Sequence, residues 1–309
     1  MDAGQPNRYL TRRRYPGRVQ AVESQGFERS ATPGRQRVVR RLQPSTGVLP
    51  IDVAELWRYR ELSRFFLLRD VKSRYRQTYF GPAWAIIRPL VTMVIFSVVF
   101  GGLAGIKPGT NIPYPLFVTP AVLAMGYFSS AMTGSSSSLL NNGGLLAKVY
   151  FPRLYAPFSA VVTPIVDLLL GLTVLVGLFA YYHRVPSWHI VFLPVFICLA
   201  MLVAIGFGLW LSGATVRYRD VVYGLPFLLQ IWQYATPVIY PVSFVPPTYR
   251  WLLAINPLTA VVAGFRWSLL GVPFGSLTVL FSSISVAVVV TGTGLFAFRR
   301  TERTIVDML

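Results

Sequence analysis

Side chains capable of chemistry are scarce in this sequence. Asp167 is the one carboxylate inside any long apolar run, His183 and His189 flank a short loop without an acidic neighbour, and Cys198 stands alone. A charge inside an apolar span is costly unless paired or solvated, so Asp167 is a functional candidate; Arg88 or a backbone site is its expected partner, and a structural pair and a transport role both stay open. The two His lack the further ligands of a metal site. Cys198 has no partner for a disulfide or a thiolate site and is expected to be a small buried residue. The stretch Asn-Asn-Gly-Gly-Leu-Leu-Ala-Lys-Val-Tyr-Phe-Pro-Arg from Asn141 to Arg153 places Gly144 four residues before Lys148, but lacks the leading Gly and the trailing Ser or Thr of a phosphate loop. ATP is not bound by that route. General acid-base catalysis wants positioned carboxylates or His in a pocket. That leaves a membrane-embedded transferase acting on a lipid-linked substrate as a distant alternative, and a membrane scaffold as another.

Composition says what must position these groups. With 54% hydrophobic and only 13% charged residues, most of the 309-residue chain belongs in lipid. The net charge of +18 is concentrated, with 17 of 29 Lys and Arg before Gly81, which argues against nucleic acid as a partner. Windows long enough to cross ~30 Å of hydrocarbon occur at about 84–103, 115–140, 155–182, 190–213, 221–241 and 276–298. The expected fold is therefore an all-α integral membrane protein with six transmembrane helices. The second is the least secure, because Thr133, Gly134 and Ser135 to Ser138 make one half polar. With both termini cytoplasmic, the inner segments hold 25 Lys and Arg and the outer ones only Lys107, Arg184, Arg250 and Arg266.

Residues 1–50 are rich in Arg, Pro, Gly, Ser and Gln without an apolar run and are expected to be a disordered basic cytoplasmic tail that is attracted to anionic lipid. Residues 51–83 form an amphipathic interface helix and connector, 84–300 the six-helix domain, and 301–309 a cytoplasmic C-terminal tail. Asp52 and Glu55 make a capping-box-like start, after which Leu56, Tyr59, Leu62 and Phe66 recur at helical spacing. Such a helix lies in the membrane interface or packs on the protein's own cytoplasmic end. Gly81 and Pro82 break the chain before Trp84, an interfacial anchor; Arg88, one turn inside, snorkels to the headgroups or lines a polar cavity. Between the fifth and sixth spans, Asn256 as N-cap before Pro257 predicts two short helices, about 247–255 and 257–270, too short to span and so re-entrant or interfacial on the outer face. Trp210, Tyr223, Phe227, Trp232, Tyr234, Tyr240 and Tyr249 are anchors or core, or a set suited to stacking on sugar faces.

Several spaced runs together resemble the permease subunits of type-2 ABC exporters, in the polysaccharide and polyol-phosphate branch: Leu56-Trp57-Arg58-Tyr59-Arg60-Glu61-Leu62, Arg69-Asp70-Val71-Lys72-Ser73-Arg74-Tyr75, Gly81 to Pro89, Lys148 to Arg153, and Thr236 to Pro241 with Asn256-Pro257. The resemblance implies a homodimer of twelve spans that docks two copies of a separate ATPase chain. ATP and Mg would be bound there, with no cofactor in this chain. A lipid-linked polysaccharide of O-antigen, teichoic acid or galactan type would pass outward across the bacterial inner membrane. A drug, lipid or haem exporter of the same architecture is the alternative. By position, Asn141, Lys148, Val149, Tyr150, Phe151, Pro152 and Arg153 would dock the ATPase. The resemblance further implies that Trp57, Arg58, Tyr59, Arg60, Arg69, Arg74 and Arg88 admit the lipid head group at the interface helix, and that Tyr249, Arg250, Trp251, Asn256, Pro257 and Arg266 belong to the outer gate. Asp167, Trp232, Tyr234 and Tyr240 are the channel or intramembrane polar candidates. The long Arg-rich tail departs from the branch, and Arg88 stands where an amide is more usual.

Overall fold

The computed structural model describes residues 60–76, 79–109, 111–146 and 152–308, and the architecture here is that of the unit Gly47–Leu309. The basic tail 1–50, the helix start at Asp52, Trp57, Arg58 and Tyr59, and Lys148 to Phe151 lie outside the described residues. Among those described, every regular element is helical.

Helix α1, Arg60–Tyr75, leads to a 3-10 turn at Gly81–Ala83 and then α2, Trp84–Phe96, which continues as a π turn over Ser97–Leu103. α3 is Tyr114–Asn141, followed by a single turn at Gly143–Leu146. Next come α4, Tyr155–Val162, and α5, Ile165–Tyr181. They meet where Pro164 has no N–H to give the chain behind it, so the third apolar window is one span with a break. A 3-10 turn at Trp188–Phe192 precedes α6, Leu193–Arg217, and α7 is Asp220–Ala235. α8, Arg250–Ile255, and α9, Pro257–Leu270, precede the long α10, Leu277–Met308.

Five helical stretches are long and apolar enough to cross a membrane: Gly81–Leu103, Tyr114–Asn141, Tyr155–Tyr181, Trp188–Arg217 and Leu277–Thr301. The window at 221–241 is delivered as the 16 residues of α7, roughly 24 Å at 1.5 Å per residue, extended by irregular chain from Thr236 to Pro241. The stretch Pro247–Ile255 with Pro257–Leu270 bends by 96° at Asn256, as the two-short-helix reading expects.

The span that looked least secure is the centre of the molecule. In α3, 78% of the apolar window is buried, against 11% for the first span. The serines are what allow it: Ser135, Ser136 and Ser138 are buried, and Ser135 sits where a side chain at Gly208 of α6 would collide with it. Small residues let these backbones approach, since in lipid it is close packing rather than hydrophobicity that holds helices together. Cys198, expected inside, is exposed on α6, on a face of that helix turned away from its neighbours, where an apolar residue of a membrane protein has lipid to meet.

Candidate functional site

Two polar clusters lie along α3, one beside its Val122 to Ser130 stretch and reaching Asn142 past its end, the other at its first turn around Tyr114 and Phe117. The first gathers around α1. Asp167 accepts from the Arg74 guanidinium and from the Tyr75 hydroxyl. Its acceptance in an apolar span follows from the break before it: Asp167 lies in the first turn of α5, where the unpaired N–H groups favour a negative charge. The partner is thus α1 and not Arg88, which corrects the sequence expectation. Burial, and then the hydrogen bond to Asp167, push the Tyr75 hydroxyl well above its ordinary range, so it remains a donor.

One turn earlier on the same helix, the Arg69 guanidinium donates to Asp70 Oδ1 at 2.8 Å and to Asn142 Oδ1 at 2.6 Å, while Ser159 Oγ donates to Asp70 Oδ2 at 3.1 Å. Asn142 lies at the start of the connection 141–153 and Ser159 in α4 just beyond its end. Adjacent residues of α1 therefore hold the chain at both ends of that connection. Phe66 is fully buried, whereas Phe65 and Leu68 are exposed on another face of α1 beside Arg64 and Lys72. The helix both packs on the protein and presents an amphipathic face.

Between α1 and the first span lies a cavity of about 360 Å³ lined by Arg74, Tyr75, Trp84, Arg88, Tyr127 and Asp167, among others. Arg74 is neutralised by Asp167, but Arg88 is exposed and makes no hydrogen bond or ion pair among the described residues. Its planar guanidinium can take two oxygens of a phosphate-type anion at once. Among the described residues, no group of three or more His, Cys, Asp or Glu comes together to hold a metal.

The second cluster holds the break after α7. Asn256 caps α9 by accepting from the Leu258 amide at 3.1 Å; the same oxygen accepts from Trp232 Nε1 at 3.0 Å, and its amide nitrogen donates to Thr236 Oγ1 at 2.9 Å. Arg266, an outer-gate candidate, is buried at 4% exposure. It donates to the carbonyls of Phe117, Pro237 and Val238 at 3.1, 2.7 and 2.6 Å, and its guanidinium lies 3.7 Å from the centre of the Phe117 ring. Tyr114 donates to the Ile239 carbonyl at 2.7 Å. Irregular backbone inside a membrane protein needs its carbonyls satisfied by the protein, and these side chains do so.

Trp232 of this second cluster also packs edge-on against Phe128 and Phe207, whereas the remaining candidates lie apart from both clusters: Tyr234 is half exposed and its carbonyl accepts from Tyr240 at 3.3 Å. Tyr249 and Trp251 are exposed, and among the described residues Arg250 reaches the nearby Val245 carbonyl alone. Sequence reasoning placed Arg69 and Arg74 at a lipid surface and passed over Tyr75, Tyr114, Asn142 and Ser159 as partners. Spacings of 73 to 125 residues carry no local signal of such contacts.

A family model described as ABC-2 type transporter matches residues 62–270. The O-antigen export system permease protein RfbA of Myxococcus xanthus is 28% identical over 255 residues, covering 81% of this chain and 96% of that protein. The inner membrane transport permease YadH of Escherichia coli strain K12 is 26% identical over 219 residues, 66% of this chain and 82% of its own. The polysialic acid transport protein KpsM of Escherichia coli is 23% identical over 207 residues, 63% and 76% respectively. With that match running from α1 through α9, over both polar clusters and the helices between them, the chain belongs to the ABC-2 type transporter family and is the permease of an ABC exporter.

Proposed function

We propose that this permease moves a lipid-linked polysaccharide of O-antigen, teichoic acid or galactan type outward across the bacterial inner membrane. It acts as a homodimer whose two chains each dock a separate ATPase subunit. The observation that carries the reading is the near full-length similarity to an O-antigen export permease. Two features of the molecule support it. The cavity beside α1 offers an unpaired Arg88 to an anionic head group, with Trp84 and the exposed Phe65 and Leu68 at the lipid side. The connection 141–153, which α1 meets at Asn142 and again at Ser159 just beyond it, receives the ATPase in this reading, with both termini on the same cytoplasmic side. ATP and Mg belong to that partner.

The test is depletion of the chain in its host. Lipid-linked polymer is expected to accumulate on the inner leaflet while its synthesis continues, and re-expression restores surface polymer. Unchanged surface polymer together with altered drug or haem resistance overturns the reading in favour of a different cargo.

A further inference from the structure

Arg266 is the most deeply buried cation described, and no carboxylate answers it. Its three carbonyl partners come from two places, Phe117 on α3 and Pro237 with Val238 just past the end of α7. A neutral amide of similar size could reach one of them; only a guanidinium forks to all three. Tyr114, Trp232 and Asn256 fasten the same few residues from α3, α7 and α9, and Thr236, Pro237, Val238 and Ile239 are all buried. The end of α7 at Ala235 is therefore tied to two other helices, α3 and α9.

Its other end is tied to little. Among the described residues, no side chain from Asp220 to Ile231 makes a hydrogen bond or an ion pair, and only Leu225 and Leu229 of α7 are buried. Pro226 interrupts the helix's own hydrogen bonding nearly two turns in. Behind the helix from Leu225 to Ala235, between it and α6, lies an apolar space of about 620 Å³ lined also by Met132 of α3, Phe207 and Trp210 of α6 and Val290 of α10, so that α7 packs loosely there and is fixed by its polar contacts. Apolar packing slides at small cost, whereas a buried charge stripped of its partners is expensive.

We infer that Arg266 is a positioning residue that holds the Thr236–Ile239 end of α7 stationary, so that α7 moves in the transport cycle as a lever pivoting about that end while its Asp220 end swings. This rests on the transporter reading only in attributing the swing to the cycle; the clamp itself does not depend on it.

The experiment places reporter cysteines in the full-length chain after Cys198→Ser, at Ile239→Cys for the clamped end and at Tyr223→Cys for the swinging end. Labelling by a membrane-permeant maleimide is followed in proteoliposomes that contain the permease and its ATPase, nucleotide-free and with ATP trapped by vanadate. With Arg266 intact, Tyr223→Cys changes its labelling rate on trapping and Ile239→Cys is slow in both states. Adding Arg266→Gln raises the Ile239→Cys rate on the order of tenfold, the factor expected for one lost hydrogen bond to a charged group, and makes that rate respond to trapping. Arg266→Lys restores part of the protection. If Arg266→Gln does not assemble, Tyr114→Phe removes only the Ile239 contact and is expected to give about a fivefold rise.

A rise in Arg266→Gln that is identical with and without trapped nucleotide reports general loosening and overturns the pivot, as does an Ile239→Cys rate in the parent that responds to trapping as strongly as Tyr223→Cys. Absence of any response at Tyr223→Cys, with the Arg266→Gln effect on Ile239→Cys intact, leaves the clamp standing and counts against α7 as the lever and against an ATP-driven cycle.

Discussion

At the scale of single residues, the Arg74–Asp167 pair shows how a charge survives in an apolar span. The break at Pro164 makes the position a helix start, α1 supplies a guanidinium and a phenol, and both charged side chains keep about a third of their surface in contact with solvent. A pair so exposed is screened, and Asp167→Asn is expected to cost about 1 kcal/mol. The larger consequence is the release of α1. Exchange of the two, Arg74→Asp with Asp167→Arg, should recover part of the export lost in either single variant when surface polymer is measured; no recovery would mean that the carboxylate acts on something other than Arg74. At the second cluster, Asn256→Ala removes a helix cap and the shared acceptor of Trp232. A loss of about 1–2 kcal/mol follows for such a cap, read as a fall of about 2–4 °C in melting temperature per kcal/mol. Asp167 and Asn256 could both be picked out from sequence, the first as the lone intramembrane acid and the second as Asn before Pro. Their partners could not, since Arg74 and Tyr75 stand 93 and 92 residues away from Asp167.

At the scale of elements, the helices touch where side chains are absent. A side chain added at Gly206 of α6 would come within 2.8 Å of the Thr291 amide of α10, and one at Gly294 of α10 would strike the Gly206 carbonyl. Thr291 Oγ1 donates to the Leu202 carbonyl at 2.9 Å across the same contact. Gly294→Ala should therefore force α6 and α10 apart at a cost of about 1–3 kcal/mol, visible as earlier thermal aggregation in detergent, whereas an unshifted curve would mean that α10 can slide without penalty. The connection 141–153 works as an element too, because Arg69 and Asp70 hold Asn142 at its start and Ser159 just beyond its end against α1. Lys148→Glu or Arg153→Glu is expected to abolish export while the permease still assembles, and co-purification of the ATPase measures whether docking has been lost; unchanged export in both would remove this connection from the coupling route.

The whole molecule exposes more apolar surface than any single chain in water would tolerate. Leu90, Val91, Val94, Ile95, Val98 and Val99 of the first span, and Tyr223, Phe227, Leu228 and Ile231 of α7, are all open. Lipid or a second copy must cover them. Purified alone, the chain should show no ATP turnover, and with its partner a turnover that depends on the permease; hydrolysis by the isolated chain would end the transporter reading. Sequence alone determined that the chain is a bundle of membrane helices, with a further helix before the first span and two short helices before the last. Composition and window length settle whether a segment can leave water, and an Asn-Pro start or a proline break acts within a few residues. Tertiary structure alone decided that the serine-rich second span is the centre, that Arg266 is buried among three backbone carbonyls, and that Asp167 answers α1. Each of those depends on which backbone lies within a few ångströms after folding, and a buried charge is tolerated only where the folded chain has brought it partners.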